Sequence, residues 1–210
     1  TDPRLISIFE RSMNTKNVFV PFDKYSNNSN ELKQFDTVLY AGSLGKLFRN
    51  NLSDFPKKNY LFADNNKFKK ISNQISEITN KKKIGISWKS KNETYGMDKS
   101  IDLNLFKSIL SLDQFSFINL QYGDTKEERK KFKKTTGLDI INIEEIDLFN
   151  DFESIAALLQ NLDLYIAVSN STAHLSAALG VPTWIIRPKI HAVFHYWNQP
   201  GSITPWYSSV

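Results

Sequence analysis

Four small polar residues, Ser169-Asn170-Ser171-Thr172, separate an apolar run, Leu164 to Val168, from a helical pattern that carries His174 in its first turn and stops at Gly180. Pro182 and a second apolar run then lead to Arg187. A strand, polar cap, helix and strand in this order leave the first helix amides without intrahelical partners, aimed beyond the strand end. With the helix dipole they form an anion site suited to phosphate. Ser169 or Asn170 can serve as an N-cap alone, worth about 1 kcal/mol, or as a cap that also meets an anion. His174 sits on a helix whose other residues, Leu175, Ala178 and Leu179, are apolar. It is either a structural hydrogen bonder or a ligand contact, and its first-turn placement directs the ring toward the strand end.

Other polar segments follow apolar runs in the same way. Lys89-Ser90-Lys91 and then Asp98-Lys99-Ser100 come after Ile84–Trp88, and Gln121-Tyr122-Gly123-Asp124 comes after Phe115–Leu120. Glu144-Glu145 reads as solvated. No P-loop, HExxH or Ser-His-Asp order occurs, and Gly85 lies inside a strand rather than opening a dinucleotide-binding helix. The collected groups suit holding a phosphate-bearing ligand and include no recognisable nucleophile.

The elements that must position these groups alternate. Strands are expected at Ile84–Trp88, Phe115–Leu120, Ile140–Ile143, Leu164–Val168 and Thr183–Ile186. Helices are expected at Leu103–Leu110, Thr125–Lys134, Phe152–Leu162 and Ser171–Leu179. This is the pattern of an α/β fold, a parallel sheet with helices on both faces. Right-handed crossovers put every strand's C-terminal end on one rim, where ligands bind. Before residue 84, Asp2 and Pro3 announce a helix continued by Leu5, Ile8 and Phe9. Val18–Val20 and Phe35–Ala41 read as strands, Tyr25–Asn30 as a loop, and Gly42–Gly45 as the opening of a turn or short helix. Phe68, Ile71, Ile75 and Ile78 mark an amphipathic helix from Asp64 to Asn80, whose end is the expected boundary between residues 1–80 and 81–210.

Composition removes several function classes. The 210 residues include no cysteine and three histidines, so no disulfide framework, thiolate nucleophile or zinc–thiolate site is available. No metal or cofactor is expected. The net charge of +5 comes from scattered lysine clusters without a nucleic-acid motif, and no specific nucleic-acid partner is expected. No apolar run approaches a membrane span, and a cytoplasmic protein is the default. Neither terminus carries a natural start or stop signal, and the chain is expected to be part of a longer protein.

The run Ser169 to Pro182 resembles the donor-site motif of heptosyltransferase-type glycosyltransferases (family 9). It resembles still more the glycosyltransferase domain that follows tetratricopeptide repeats in bacterial proteins. Ile84–Trp88, Asp98-Lys99-Ser100-Ile101, Asn119–Gly123, Asp151-Phe152 and Pro205-Trp206-Tyr207 match in order, and the segment from Ser43 to Pro56 resembles the end of the family's N-terminal half. The resemblance implies a GT-B architecture. Residues 1–80 would form the second half of an acceptor-side domain, and residues 81–210 a Rossmann-like domain for a nucleotide-sugar. It further implies that Ser169, Asn170, Ser171, Thr172 and His174 contact the donor diphosphate, that Lys89 or Lys99 neutralises the leaving phosphate, and that Gln121, Tyr122 and Gly123 line the nucleotide pocket. The acceptor would be an unknown glycan, lipid or protein, and a chain of this extent alone would be inactive. Two positions depart from the family's pattern: Ser169-Asn170 where Asp-Thr is frequent, and Lys99 where Arg is frequent. A non-catalytic nucleotide-sugar- or partner-binding module is the alternative, and a nucleotide-sugar epimerase a third reading.

Overall fold

In a computed structural model the described residues are 1–13, 19–21, 30–189, 194–197 and 203–210. Their helices are α1 (Ile6–Ser12), α2 (Leu44–Phe48), α3 (Asn65–Ile78), α4 (Gly96–Lys99), α5 (Lys107–Leu110), α6 (Lys126–Thr136), α7 (Phe152–Gln160) and α8 (Ser171–Ala178). The strands are β1 (Lys82–Ser87), β2 (Phe115–Asn119), β3 (Leu164–Val168) and β4 (Thr183–Ile186), all parallel in the order β2-β1-β3-β4. This is the expected Rossmann-like α/β sheet.

Alternation along the strands builds two cores. Ile84, Ile86, Trp88, Phe117 and Ile166 face one side, against Leu103, Phe106, Leu110 and Phe132. Ile118, Leu120, Tyr165 and Ala167 face the other, against α7 and α8. Ile8 of α1 and Ile71 and Ile75 of α3 join that second core. The α3 end is also tied to α7, because Lys67 Nζ reaches Ser154 Oγ at 2.8 Å and Asp151 Oδ2 at 3.3 Å. The described parts of residues 1–80 nearest the sheet therefore pack as its outer layer.

Several expected elements differ. Phe35–Ala41 forms no strand. Residues 37–40 have no regular structure, and Val38, Leu39 and Tyr40 are exposed, because no strand among the described residues pairs with them. The short helix expected after Gly42 is present as a 3-10 turn, Ala41–Ser43, continued by α2. Val18 and most of the loop at residues 25–30 lie outside the described residues, and Phe19 and Val20 belong to no strand. Ile140–Ile143 is reduced to one bridge, Ile141 to Ile118, because the backbone turns away after pairing with Phe117 and Asn119. The helix expected over Leu103–Leu110 is a 3-10 turn, Leu103–Phe106, leading into α5.

Candidate functional site

The strand order has a switch point between β1 and β3: β1 leads to a neighbour on one side, and β3 leads to β4 on the other. Loops leaving adjacent strands in opposite directions open a crevice at their C-terminal ends. A cleft of about 490 Å³ lies there, lined by Ser90, Lys91, Asn92 and Lys99 after β1 and by Ser169 to Thr172 and His174 after β3. Arg4, Tyr122, Leu148, Phe149, Phe152, Phe194 and Tyr196 complete its walls.

The start of α8 is held from below. Asn170 is the N-cap: its Oδ1 accepts from the Ala173 amide at 2.9 Å, and its Nδ2 donates to Ser87 Oγ at 2.9 Å. Ser87 Oγ is also 2.6 Å from the buried Tyr165 hydroxyl. Burial pushes that phenol well above its ordinary pKa, so it stays protonated. Among the described residues, no hydrogen bond engages the amides of Ser171 and Thr172. The cap therefore fixes the helix end and leaves two donors at the cleft.

Ser169 has a different task. Its Oγ accepts from Trp197 Nε1 at 2.9 Å, and the Trp197 ring stacks on His174 with centroids 4.7 Å apart. His174 Nδ1 lies 2.9 Å from the Tyr207 hydroxyl. Burial, then the nearby Lys99 charge and His195, lower the His174 pKa to about 4. The ring is neutral at pH 7, so it can meet a ligand through a hydrogen bond but brings no charge.

Lys99 supplies the charge. It is 6% exposed, and among the described residues no hydrogen bond or carboxylate engages its ammonium. The nitrogen lies 4.2 Å from the centre of the Phe194 ring, a cation–π contact. Burial lowers its pKa. Lys99 ends α4, which begins at Gly96, where a Cβ would stand 2.5 Å from the Ser90 carbonyl oxygen. Only glycine lets the chain fold back closely enough to deliver this lysine.

The other expected residues separate. Tyr122 lines the cleft, its hydroxyl accepting from the Lys91 amide at 3.0 Å. Gly123 has φ +87°, and a Cβ there would come 2.7 Å from Lys91 Cε and Nζ, so the glycine makes room for the lysine stem. Gln121 does not line the cleft. It is 1% exposed, its Oε1 accepts from the amides of Trp88 and Lys89, and its Nε2 donates to the Tyr122 carbonyl. Lys89 does not line it either, because its ammonium pairs with Glu128 at 2.7 Å. Arg187 is exposed outside the cleft.

Sequence reasoning missed Arg4, Lys91 as the second cation, and the aromatic wall. Lys91 has the same type and loop as Lys89, and what separates them is distant in sequence: Glu128 pairs with Lys89, and Lys91 lies against Gly123. The available signal for Phe149 was an apolar residue between Asp147 and Asn150, turn-forming types just before the Asp151 cap. Among the described residues no cluster of three or more His, Cys, Asp or Glu could hold a metal, and no helix is long and apolar enough to cross a membrane.

No protein-family model matches the chain. Among curated proteins it is 31% identical over 180 residues to Protein FlbA of Caulobacter vibrioides, a match covering 84% of this chain and 29% of FlbA. The chain thus spans less than a third of that relative's length. Among solved structures, the glycosyl transferase family 9 protein from Veillonella parvula superposes with a TM-score of 0.51 at 12% identity, covering 61% of this chain and 37% of that one. The E. coli ADP-heptose LPS heptosyltransferase II gives a TM-score of 0.45 at 13% identity, over 66% and 43% of the two chains. The chain shares the α/β fold of the Veillonella protein, and its structural neighbours are family 9 glycosyltransferases.

Proposed function

We propose that the cleft holds the diphosphate of a nucleotide-sugar, and that the protein containing this chain transfers the sugar to an acceptor hydroxyl. The observation that carries this reading is Lys99: a lysine 6% exposed whose ammonium has no anion partner among the described residues, in the same cleft as two unbonded helix amides. A buried charge is unfavourable unless paired, and a diphosphate is the partner these groups fit. Negative charge grows on the departing diphosphate during transfer. Donors fixed in advance, Lys99, Lys91 and the Ser171 and Thr172 amides, stabilise it where it forms. Family 9 likeness in the fold supports the reaction class, and the ordered motif resemblance supports the donor.

Within this reading, α1 and α3 serve the sheet and Asn30–Asp54 belongs to the acceptor side. The tetratricopeptide-repeat association, the cytoplasmic location and a glycan, lipid or protein acceptor are parts of the same proposal. Calorimetric titration with nucleoside diphosphates and nucleotide-sugars tests it. Saturable binding is expected, weakened at least about thirtyfold by Lys99→Met, the loss typical of removing one partner from a buried charged contact. No binding by the wild-type chain, or equal binding by Lys99→Met, would sink the proposal.

A second reading, a binding module without turnover, is favoured by one observation: among the described residues lining the cleft there is no carboxylate to activate an acceptor hydroxyl. Transfer or donor hydrolysis by the full-length protein, abolished by Lys99→Met, would eliminate it.

A further inference from the structure

His174 lines the cleft and presents its two ring nitrogens to different surroundings. Nδ1 lies 2.9 Å from the Tyr207 hydroxyl, and among the described residues no hydrogen bond engages Nε2. Neighbouring rings fix the imidazole on a face and at an edge. Trp197 stacks on it at 4.7 Å and 29°, and Tyr196 meets it at 5.1 Å and 80°. Tyr207 is held in turn, its ring stacked with those of Trp197 and Tyr60 at centroid distances of 5.6 and 6.5 Å.

A neutral imidazole carries one hydrogen, so the bond at one nitrogen decides the role of the other. The Tyr207 hydroxyl also bonds that of Tyr60, which leaves two chains of bonds. In one, Tyr60 donates to Tyr207 and Tyr207 donates to Nδ1, placing the hydrogen on Nε2. In the other, Nδ1–H donates to Tyr207, Tyr207 donates to Tyr60, and Nε2 faces the cleft as an acceptor. The first chain pairs the better donor with the better acceptor. A phenol, with an ordinary pKa of about 10, is more acidic than a neutral imidazole N–H, and an imidazole nitrogen, at about 6.5, is far more basic than a phenol oxygen. Burial pushes the Tyr207 phenol up, so it keeps its hydrogen. The cleft favours the same chain, because an acceptor lone pair beside Lys99 and two free amides would oppose the anion that those donors suit.

We infer that Tyr207 is the positioning residue of His174. It fixes the ring with its hydrogen on Nε2, and the neutral histidine serves as a hydrogen-bond donor to an anion in the cleft, not as a base for an acceptor hydroxyl. The inference rests on the proposed diphosphate reading for the identity of that anion.

Long-range nitrogen–proton NMR spectra of the full chain report the tautomer, with the His174 signals identified by their loss in His174→Gln. The wild type is expected to show Nδ1 bare and Nε2 protonated. Hydrogen on Nδ1 would overturn the inference. Titration with inorganic pyrophosphate tests the consequence. Tyr207→Phe keeps the stacked ring, loses the hydroxyl and should weaken binding about fivefold, the worth of one neutral hydrogen bond. In the His174→Gln background the same change should add less than about twofold, because its effect passes through the imidazole. Equal losses in both backgrounds would mark Tyr207 as merely structural, and full affinity in Tyr207→Phe would show that the ring needs no positioning; either result overturns the inference. If the wild type binds neither pyrophosphate nor a nucleoside diphosphate, the diphosphate reading fails and takes the anion role of His174 with it.

Discussion

Among the described residues lining the cleft, the Lys99 ammonium and two helix amides have no hydrogen-bonded partner, whereas the Arg4 guanidinium is paired. Lys99 is buried with no ion pair among the described residues, beside the unbonded amides of Ser171 and Thr172. Arg4, by contrast, has its guanidinium bound to Asp2 and to the Phe149 carbonyl, and it lies over the Phe149 ring at 5.6 Å, with Lys91 Nζ over the same ring at 6.0 Å. Both residues are cations in the same cleft wall, so charge alone does not distinguish a ligand from a brace. The difference lies in what each leaves unpaired. Free donors recruit an anion, and a paired guanidinium holds the wall in place.

The sharpest way to break that contrast is at Lys99, where function and stability should move in opposite directions. Burial disfavours the charged form of Lys99, and among the described residues its ammonium meets the Phe194 ring and no anion, so the charge costs the empty protein stability. Lys99→Met keeps the stem and removes the charge. Alongside the loss of diphosphate binding, it should stabilise the chain by about 1 kcal/mol, seen as a melting temperature about 2–4 °C higher. A lower melting temperature would mean that Lys99 has a structural partner, and the contrast with Arg4 would collapse.

His174 sharpens the same end through pH. Its folded pKa is about 4 against an ordinary 6.5, so at pH 7 the ring is neutral both folded and unfolded. As pH falls below 6.5 the unfolded chain takes up a proton that the folded ring refuses until about pH 4. Stability is therefore lost across that window, by roughly 3 kcal/mol in all. The charges facing the ring are Lys99 and His195, both adding to the same direction. His174→Gln should flatten the acid side of a stability–pH curve measured by urea unfolding between pH 7 and 4. An unchanged slope would place the acid sensitivity in the carboxylates instead.

How much of this was legible beforehand follows a physical line. The strand–cap–helix run from Leu164 to Ile186 could be read because its signals are local: an apolar run, a capping residue, a glycine stop. Lys99 was legible by resemblance, and Ser169 and Asn170 were legible as cap candidates. Their division of labour was not. Asn170 holds the helix end from Ser87, and Ser169 holds Trp197 against His174, through contacts 83 and 28 residues apart in sequence. Gln121 looked like a pocket residue because it follows a strand. Its amide instead binds two backbone N–H groups of the neighbouring loop, a role visible only once β1 and β2 are paired. Arg4 was beyond reach for the same reason, since its partner carbonyl at Phe149 is 145 residues away. The expected strand at Phe35–Ala41 failed in the opposite way: its local pattern is sound, but a strand also needs a neighbour.

The smallest effect is a test of position. Lys89 and Lys91 are two residues apart on one loop, and the sequence favours neither. Lys89 is turned to Glu128 on the surface of α6, while Lys91 crosses Gly123 into the cleft. A half-exposed ion pair of this kind stabilises by about 0–1 kcal/mol and is screened by salt. Lys89→Ala should therefore leave diphosphate affinity within about twofold, a change under 1 kcal/mol, whereas Lys91→Ala should weaken it severalfold and reduce its salt dependence. Reversal of the pair in a titration at two salt concentrations would show that the loop turns its other lysine to the ligand, and that the cationic end is not yet set in the unliganded chain.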